Sequence, residues 1–252
     1  MPESLIVERE GRIVVATINR ERARNALDDA TLFALRDLLQ ETARQDVAAI
    51  VLAGAGLKAF SAGSDIKELA GQNREQRIGH TDLGQTVGDL IEQHPAAVIA
   101  AIEGFCLGGG LELAMACDYR IAGEGATLGL PEIHLNALPS WGGTVRLPRL
   151  VGVGRAREVI QFGRKLTPEE AVQWGLIHRA VPTGKALETA RDFARDHVAR
   201  TDRGIFAIVK GLVTHGIAAP PRTGRQLELL ADMSVLSSDA LEAGVSKFAG
   251  RA

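Results

Sequence analysis

The stretch EGFCLGGGLELAMACDYRIA, residues 103–122, decides the fold. Its three consecutive glycines stand directly before an apolar segment, GLELAMACD, that predicts a helix, and the following YRIAG predicts a β-strand. Immediately upstream, AVIAAIEG (97–104) is a short apolar run that ends in glycine, which is typical of a buried parallel strand. A strand, a glycine turn, a helix and a second strand in succession indicate a parallel sheet with crossover helices.

The same alternation extends towards the N-terminus. Residues 4–9 and 12–19 predict two strands joined by a tight turn, and AAIVLAGA (48–55) predicts another buried strand. Between them, leucines recur at helical spacing after Asn25, which predicts a helix. The first half of the chain therefore belongs to the α/β class.

The second half is dominated by helical patterns broken by glycine and proline. Thr167 predicts a helix N-cap, with Pro168 at the first helical position and Glu170 at the capping-box position. We therefore predict an α/β core over residues 1–195 and a helical C-terminal region over residues 196–252.

The composition excludes several classes of protein. Lys and Arg total 29 and Asp and Glu total 31, so a formal charge of −2 gives no electrostatic basis for nucleic-acid binding. No apolar run approaches the ~18 residues that span a bilayer, and the N-terminus lacks a signal-peptide pattern. Cys106 and Cys117 lie in apolar sequence and are expected to be buried free thiols. We therefore expect a cytoplasmic protein with no membrane and no nucleic-acid partner.

Two segments could present backbone N–H groups to an anion. In KAFSAGSDIKEL (58–69), a glycine in a small-residue turn lets N–H groups turn outward and converge, although a plain strand-to-helix loop is the alternative. Gly108, Gly109 and Gly110 let a ligand oxygen approach the unpaired N–H groups and the positive dipole end of a helix start. Alternatively, these glycines only permit tight packing, and Glu112 only favours the helix dipole.

A third segment, LGLPEIHLNALPSWGGTVRLPRLVG (128–152), contains a carboxylate in apolar surroundings. Glu132 follows a proline in sequence that is otherwise apolar, and burial there would raise its pKa. A carboxyl group with a raised pKa suits general acid–base catalysis near neutral pH. An exposed loop carboxylate is the alternative. Two N–H-presenting turns and two carboxylates together favour an enzyme that polarises a carbonyl group and moves a proton to or from carbon.

These segments together resemble the signature stretches of the crotonase (enoyl-CoA hydratase/isomerase) superfamily. NRERARNAL (19–27) and TPEEAVQWGLIHRAVP (167–182) are similar to that superfamily as well. The resemblance implies a ββα spiral core with a C-terminal helical region that drives trimerisation, and hence a homotrimer or homohexamer. It is specific for the superfamily and less so for the reaction, because the family uses one oxyanion hole for several reactions.

The resemblance also implies roles for individual residues. The backbone N–H groups of Ser64 and Gly109 match the two oxyanion donors, and Ala62 matches a position that lines the CoA cleft. Glu112 and Glu132 match the two catalytic carboxylates of the hydratases. The implied reaction is hydration of a 2-enoyl-CoA, in which Glu112 takes a proton from water and Glu132 protonates C2. No cofactor and no metal are expected, since CoA enters as part of the acyl-CoA substrate.

Several residues depart from the pattern of the hydratases. Ser64 stands where alanine is most usual, which the family chemistry tolerates because it needs only the backbone N–H. Asn136 and Ser140 stand where hydratases usually have glycine, and Trp141 stands where a small residue is usual. We expect Ser140 and Trp141 to contact the acyl group and narrow its pocket, with plain packing of the Trp141 ring as the alternative.

Basic residues near the cleft are expected to meet the phosphates of CoA. Lys58 and Lys67 flank the first N–H segment, and Arg24 lies in the N-terminal turn. Any one of them could instead be a solvated surface charge. The six histidines show no metal-ligand spacing.

Three functions remain open at this level. The first is hydration of a 2-enoyl-CoA. The second is another acyl-CoA reaction of the superfamily, such as double-bond isomerisation through Glu132 alone or turnover of an unusual acyl-CoA selected by Trp141. The third is a non-catalytic or RNA-binding role, which the net charge and the presence of both carboxylates disfavour.

Overall fold

A computed structural model describes residues 3–216, 218–236 and 238–250 of the chain. Its strands are β1 (Leu5–Glu10), β2 (Ile13–Ile18), β3 (Ala49–Gly54), β4 (Ala59–Ser61), β5 (Ala97–Ile102), β6 (Phe105–Leu107), β7 (Tyr119–Gly123), β8 (Thr127–Gly129), β9 (Lys165–Leu166) and β10 (Arg179–Val181). Its α-helices are α1 (Asp29–Ala43), α2 (Ile66–Gly71), α3 (Arg74–Glu92), α4 (Gly109–Ala116), α5 (Gly143–Val151), α6 (Val153–Gln161), α7 (Pro168–Gln173), α8 (Ala186–Arg200), α9 (Arg203–Gly216), α10 (Pro221–Val235) and α11 (Asp239–Ala249).

A six-stranded sheet in the order β1-β2-β3-β5-β7-β10 forms the centre of the fold. The hairpin of β1 and β2 is antiparallel, and every other pairing in this sheet is parallel. Helices cover both faces, which explains why the central strands are continuous apolar runs. On β3, Ile50 and Leu52 face one hydrophobic core, whereas Ala49 and Val51 face the other.

The two cores are built by different helices. The larger core packs leucines of α1 and residues of α3 and α4 against one face of the sheet. The smaller core packs α8 against the other face through Ala186, Ala190 and Ala194, which are fully buried and recur every four residues. This small-residue stripe lets α8 lie close to the sheet.

A smaller four-stranded sheet, in the order β4-β6-β8-β9, positions the candidate site. Its strands β4, β6 and β8 are parallel, so their carboxyl ends lie at one edge. Residues 62–64 follow β4, Gly108 and Gly109 follow β6, and Pro131 and Glu132 follow β8. The three segments that the sequence singled out therefore meet at this edge.

The predicted α/β architecture with C-terminal helices is confirmed, including the hairpin, the buried strands and the capping box of Thr167 with Glu170. The predicted division after residue 195 stays a prediction, and that residue lies inside α8. Apolar side chains on α10 are exposed in the single chain, including Leu229, Leu230 and Met233. Among the described residues, no helix is both long and apolar enough to cross a membrane.

Candidate functional site

A cavity of about 250 Å³ lies at the edge where the three segments meet. It is lined by Ala62, Ser64, Gly109, Glu112, Glu132, Ser140 and Trp141, all predicted from the sequence, and by residues of α2, α3 and the loop before α5. The predicted residues therefore form one site, although they span eighty positions of the chain.

Two unpaired backbone N–H groups face this cavity, those of Ser64 and Gly109. In the described part of the chain, neither donates a hydrogen bond to another protein group. The loops after β4 and β6 lie close together at this point. A Cβ added to Gly63 would lie 2.9 Å from the carbonyl oxygen of Leu107 and 3.1 Å from the nitrogen of Gly109. Gly63 also has a φ of +93°, which favours glycine. The arrangement can bind an oxygen that carries negative charge.

Glu112 is a buried carboxylate with two backbone donors on one oxygen. The N–H groups of Trp141 and Gly143 both donate to its Oε1, each at 2.7 Å, which leaves its Oε2 for other partners. Burial raises the pKa of Glu112 to about 7, and the nearby charge of Glu132 adds to the rise, while the two hydrogen bonds oppose it. Glu112 can therefore gain or lose a proton near neutral pH.

The carboxylate of Glu132 lies against Gly108 in the cavity lining. A Cβ on Gly108 would lie 2.9 Å from Oε1 of Glu132, and Gly108 has a φ of +53°, so this approach favours glycine. Burial raises the pKa of Glu132 as well. Its Oε2 is buried and has no hydrogen-bond partner among the described residues. An unpartnered buried oxygen of this kind is available to a water molecule or a substrate.

The indole ring of Trp141 fills a slot between two helices. The side chain is only 2% exposed, and a Cβ on either Gly84 of α3 or Gly109 of α4 would overlap its ring. Its carbonyl oxygen accepts a hydrogen bond of 2.8 Å from Arg146. The bulk of the ring is thus accommodated by two glycines, and its backbone is fixed where it can donate to Glu112.

The predicted basic residues lie outside the cavity lining. Lys58 and Lys67 are exposed, and the guanidinium of Arg24 lies over the ring of Phe105 at 5.3 Å. The carbonyl oxygen of Arg24 accepts a hydrogen bond from the N–H of Ala62, so Arg24 is at the rim of the cavity. Whether any of these residues meets a phosphate stays a prediction.

Sequence reasoning missed the contribution of α3. His80, Arg77 and Thr81 line the cavity, and the imidazole of His80 is tilted against the ring of Trp141 with centroids 5.2 Å apart. The only sequence signal was a histidine one helical turn before Gly84 in an amphipathic helix. His80 also forms, with Asp29 and Glu68, a group whose ligand atoms lie within 4.8 Å of one another.

This architecture has two β-sheets, a helical C-terminal region and a cavity lined by two carboxylates, and it is the crotonase fold. The chain belongs to the enoyl-CoA hydratase/isomerase family, whose model matches residues 8–252.

Individual relatives agree with this assignment. The chain is similar to the short-chain-enoyl-CoA hydratase of Clostridium acetobutylicum, with 41% identity over 76% of this chain and 74% of that protein. It is also similar to the crotonyl-CoA hydratase of Syntrophomonas wolfei, with 40% identity over 76% of this chain and 74% of that protein. The crystal structure of an enoyl-CoA hydratase from Bacillus anthracis superposes with a TM-score of 0.94 at 39% identity, covering 98% of this chain and 96% of that one.

Proposed function

We propose that the protein is an enoyl-CoA hydratase that adds water across the C2=C3 bond of a 2-enoyl-CoA thioester. One observation carries the proposal: Glu112 and Glu132 line the same cavity, and burial raises the pKa of both. Hydration of a conjugated thioester needs one group that removes a proton from water and one that delivers a proton to C2. Both relatives named above are hydratases, which supports the same reaction here.

The N–H groups of Ser64 and Gly109 act as the oxyanion hole. Negative charge develops on the thioester oxygen as water adds to C3, and the two donors stabilise it. The dipole of α4, which begins at Gly109, adds to this stabilisation. Loss of one such donor costs about 3 kcal/mol of transition-state stabilisation in other enzymes.

The two carboxylates divide the proton transfers. Oε1 of Glu112 is held by two N–H groups, so Oε2 faces the water and takes its proton as the oxygen bonds to C3. Glu132, whose pKa is raised by burial, delivers a proton to C2 of the enolate. The thioester is the electron sink, so the reaction needs neither a metal nor a redox cofactor. The reaction belongs to fatty acid metabolism.

The surroundings of the cavity support a short acyl chain. Leu135, Leu138 and Ile66 supply apolar lining, and Ser140 adds a polar group near Trp141. The printed names of the two relatives, short-chain and crotonyl, point the same way. In this proposal the phosphates of CoA are held by Lys58, Lys67 and Arg24. The exposed apolar face of α10 forms a subunit contact in a homotrimer or homohexamer. We place the enzyme in the cytoplasm.

Crotonyl-CoA hydration, followed as loss of the absorbance of the conjugated thioester, tests the proposal. We expect Glu132→Gln to lower kcat by about 100- to 10,000-fold, because a general acid contributes that much. The matched control is Glu124→Gln, at an exposed carboxylate, which should hydrate at the wild-type rate. A wild-type protein that is folded and binds CoA but does not hydrate crotonyl-CoA would refute short-chain hydration.

Double-bond isomerisation is the second candidate, favoured by the unpartnered Oε2 of Glu132. A single base that removes a proton at one carbon and returns it at another needs a carboxylate oxygen free of other bonds. Glu112→Gln separates the two reactions. Hydration is lost in this variant, whereas an isomerase that relies on Glu132 retains its activity with a 3-enoyl-CoA.

A further inference from the structure

Three side chains beside the two carboxylates form a hydrogen-bonded chain that hydration does not use. Nδ1 of His80 lies 2.6 Å from Oδ1 of Asp29, and Nε2 of the same ring lies 3.1 Å from the hydroxyl oxygen of Ser64. The imidazole is buried, with its side chain 2% exposed, whereas Ser64 and His80 both line the cavity. The three residues come from α1, α3 and the loop after β4, so only the fold brings them together.

The direction of these bonds follows from the donors available. A carboxylate oxygen only accepts, so the hydrogen of the neutral imidazole lies on Nδ1, towards Asp29. Nε2 is then the acceptor and receives the hydrogen of the Ser64 hydroxyl. This is the tautomer in which a serine–histidine–aspartate triad removes the proton of its nucleophile.

The second feature of a serine nucleophile is also present. In chymotrypsin-like serine proteases the backbone N–H of the nucleophilic serine is itself one of the oxyanion donors, so the carbonyl carbon lies beside that residue's own hydroxyl. Here the unpaired N–H of Ser64 faces the cavity with that of Gly109. Hydration uses only the N–H of Ser64, and leaves both its hydroxyl and the imidazole of His80 without a role.

A metal site is the competing use of these groups, since Asp29, Glu68 and His80 have ligand atoms within 4.8 Å of one another. The atoms are already engaged in other ways. The distance of 2.6 Å between Nδ1 and Oδ1 is that of a direct hydrogen bond, and Glu68 accepts a hydrogen bond from the backbone N–H of Asp29 at 3.1 Å. Hydrogen bonds therefore account for this cluster.

We propose that Ser64, His80 and Asp29 give the protein a second activity, hydrolysis of the acyl-CoA thioester through an acyl-serine intermediate. The proposal rests on the proposed function only in that the same two N–H groups hold the thioester oxygen. Oγ of Ser64 attacks the carbonyl carbon while its proton passes to Nε2 of His80. The C–S bond then breaks, and CoA leaves as a thiol with the proton from Nε2.

Water completes the cycle. It attacks the acyl-serine ester as His80 takes one of its protons, and the proton returns to Oγ of Ser64 as the ester bond breaks. The products are a carboxylic acid and CoA, and the enzyme regains its first state without an oxidant or a reductant. Asp29 keeps the ring in the required tautomer and stabilises the imidazolium that forms twice in the cycle.

Butyryl-CoA separates the two activities, because its saturated chain has no double bond to hydrate. Release of CoA is followed with a thiol reagent, and crotonyl-CoA hydration is measured on the same preparations. The variant is Asp29→Asn, whose amide can donate to Nδ1 and so favours the wrong tautomer. The matched control is Asp37→Asn, which makes the same change at an exposed position of the same helix.

We expect the wild-type and Asp37→Asn proteins to release CoA, and Asp29→Asn to release it about 10,000-fold more slowly, with hydration of crotonyl-CoA unchanged. A fluorophosphonate probe should label the peptide that contains Ser64 in the wild type, and the Ser64→Ala variant should not be labelled. A protein that hydrates crotonyl-CoA but releases no CoA, or an Asp29→Asn variant with the wild-type rate of release, would overturn the proposal. Release without hydration would instead overturn the proposed hydratase function alone.

Discussion

Replacing Glu112 with glutamine is expected to abolish hydration and, at pH 8, to stabilise the fold. Glutamine keeps the shape of the side chain, and its Oε1 can still accept from the N–H groups of Trp141 and Gly143. What it removes is a negative charge that the folded protein buries. The carboxylate that we propose as the base therefore destabilises the fold when it is ionised.

The magnitude follows from the pKa of Glu112, which is raised from 4.5 to about 7. Because the folded protein holds this proton more tightly than the unfolded chain, the stability of the wild type falls as the pH rises from 4.5 to about 7. At about 1.4 kcal/mol per pKa unit, the wild type loses about 3 kcal/mol of folding stability by the time the pH is above that window. The amide does not replace the carboxyl group perfectly. We therefore expect the free energy of unfolding of Glu112→Gln to exceed that of the wild type by about 1–3 kcal/mol at pH 8, or roughly 2–10 °C in Tm.

Thermal unfolding at pH 5 and pH 8, at one protein concentration, measures this gain. The Tm difference between Glu112→Gln and the wild type should be small at pH 5, where the carboxyl group of Glu112 is protonated, and large at pH 8. Hydration of crotonyl-CoA should be lost at both values. Two results would refute the reasoning. One is a Tm difference between the variant and the wild type that does not change with pH, and the other is a difference that is less favourable to the variant at pH 8 than at pH 5.

Two further predictions concern packing and charge. Gly84→Ala should lower the free energy of unfolding by about 1–3 kcal/mol, because its Cβ would overlap the ring of Trp141, whereas Gly79→Ala on the same helix has open space and should not destabilise. Chemical denaturation of the two variants checks this. Lys210→Met should cost about 3 kcal/mol, because it leaves Asp118 without the amine that lies 2.7 Å from its carboxylate. A second change, Asp118→Asn, should recover part of that loss, and no recovery would show that the pair is not the cause.

The central strands of the main sheet could be predicted from the sequence because they are buried on both faces. Such strands are short, continuous apolar runs, and β3 and β5 are of this kind, so local composition identifies them. The small sheet could not be predicted in the same way. Its strands β4, β6 and β8 have three residues each, too few to show a period, and they pair through segments far apart in the chain.

The candidate site was predictable where its chemistry depends on glycine or on a carboxylate in apolar sequence. Gly108, Gly109, Glu112 and Glu132 all carry such a local signal. The hydrogen-bonded group of Asp29, His80 and Ser64 carries no such signal: Ser64 was singled out only for its backbone N–H, and nothing in the sequence links it to the other two residues. Its atoms meet only once α1 and α3 pack on the same face of the sheet.

Trp141 shows how a residue can be noticed in the sequence for its side chain while the contribution of its main chain goes unpredicted. Its size predicted either contact with the acyl group or plain packing. The ring lines the cavity and packs into a slot that Gly84 and Gly109 leave open, and only 2% of the residue is exposed. The slot fixes the backbone of Trp141, whose N–H holds Glu112 at 2.7 Å and so orients the carboxylate. A large side chain at this position therefore acts on the chemistry through its own main chain. Gly84 and Gly109, the two glycines that make room for the ring, lie 57 and 32 residues before Trp141 in the sequence, which is beyond the reach of any local pattern.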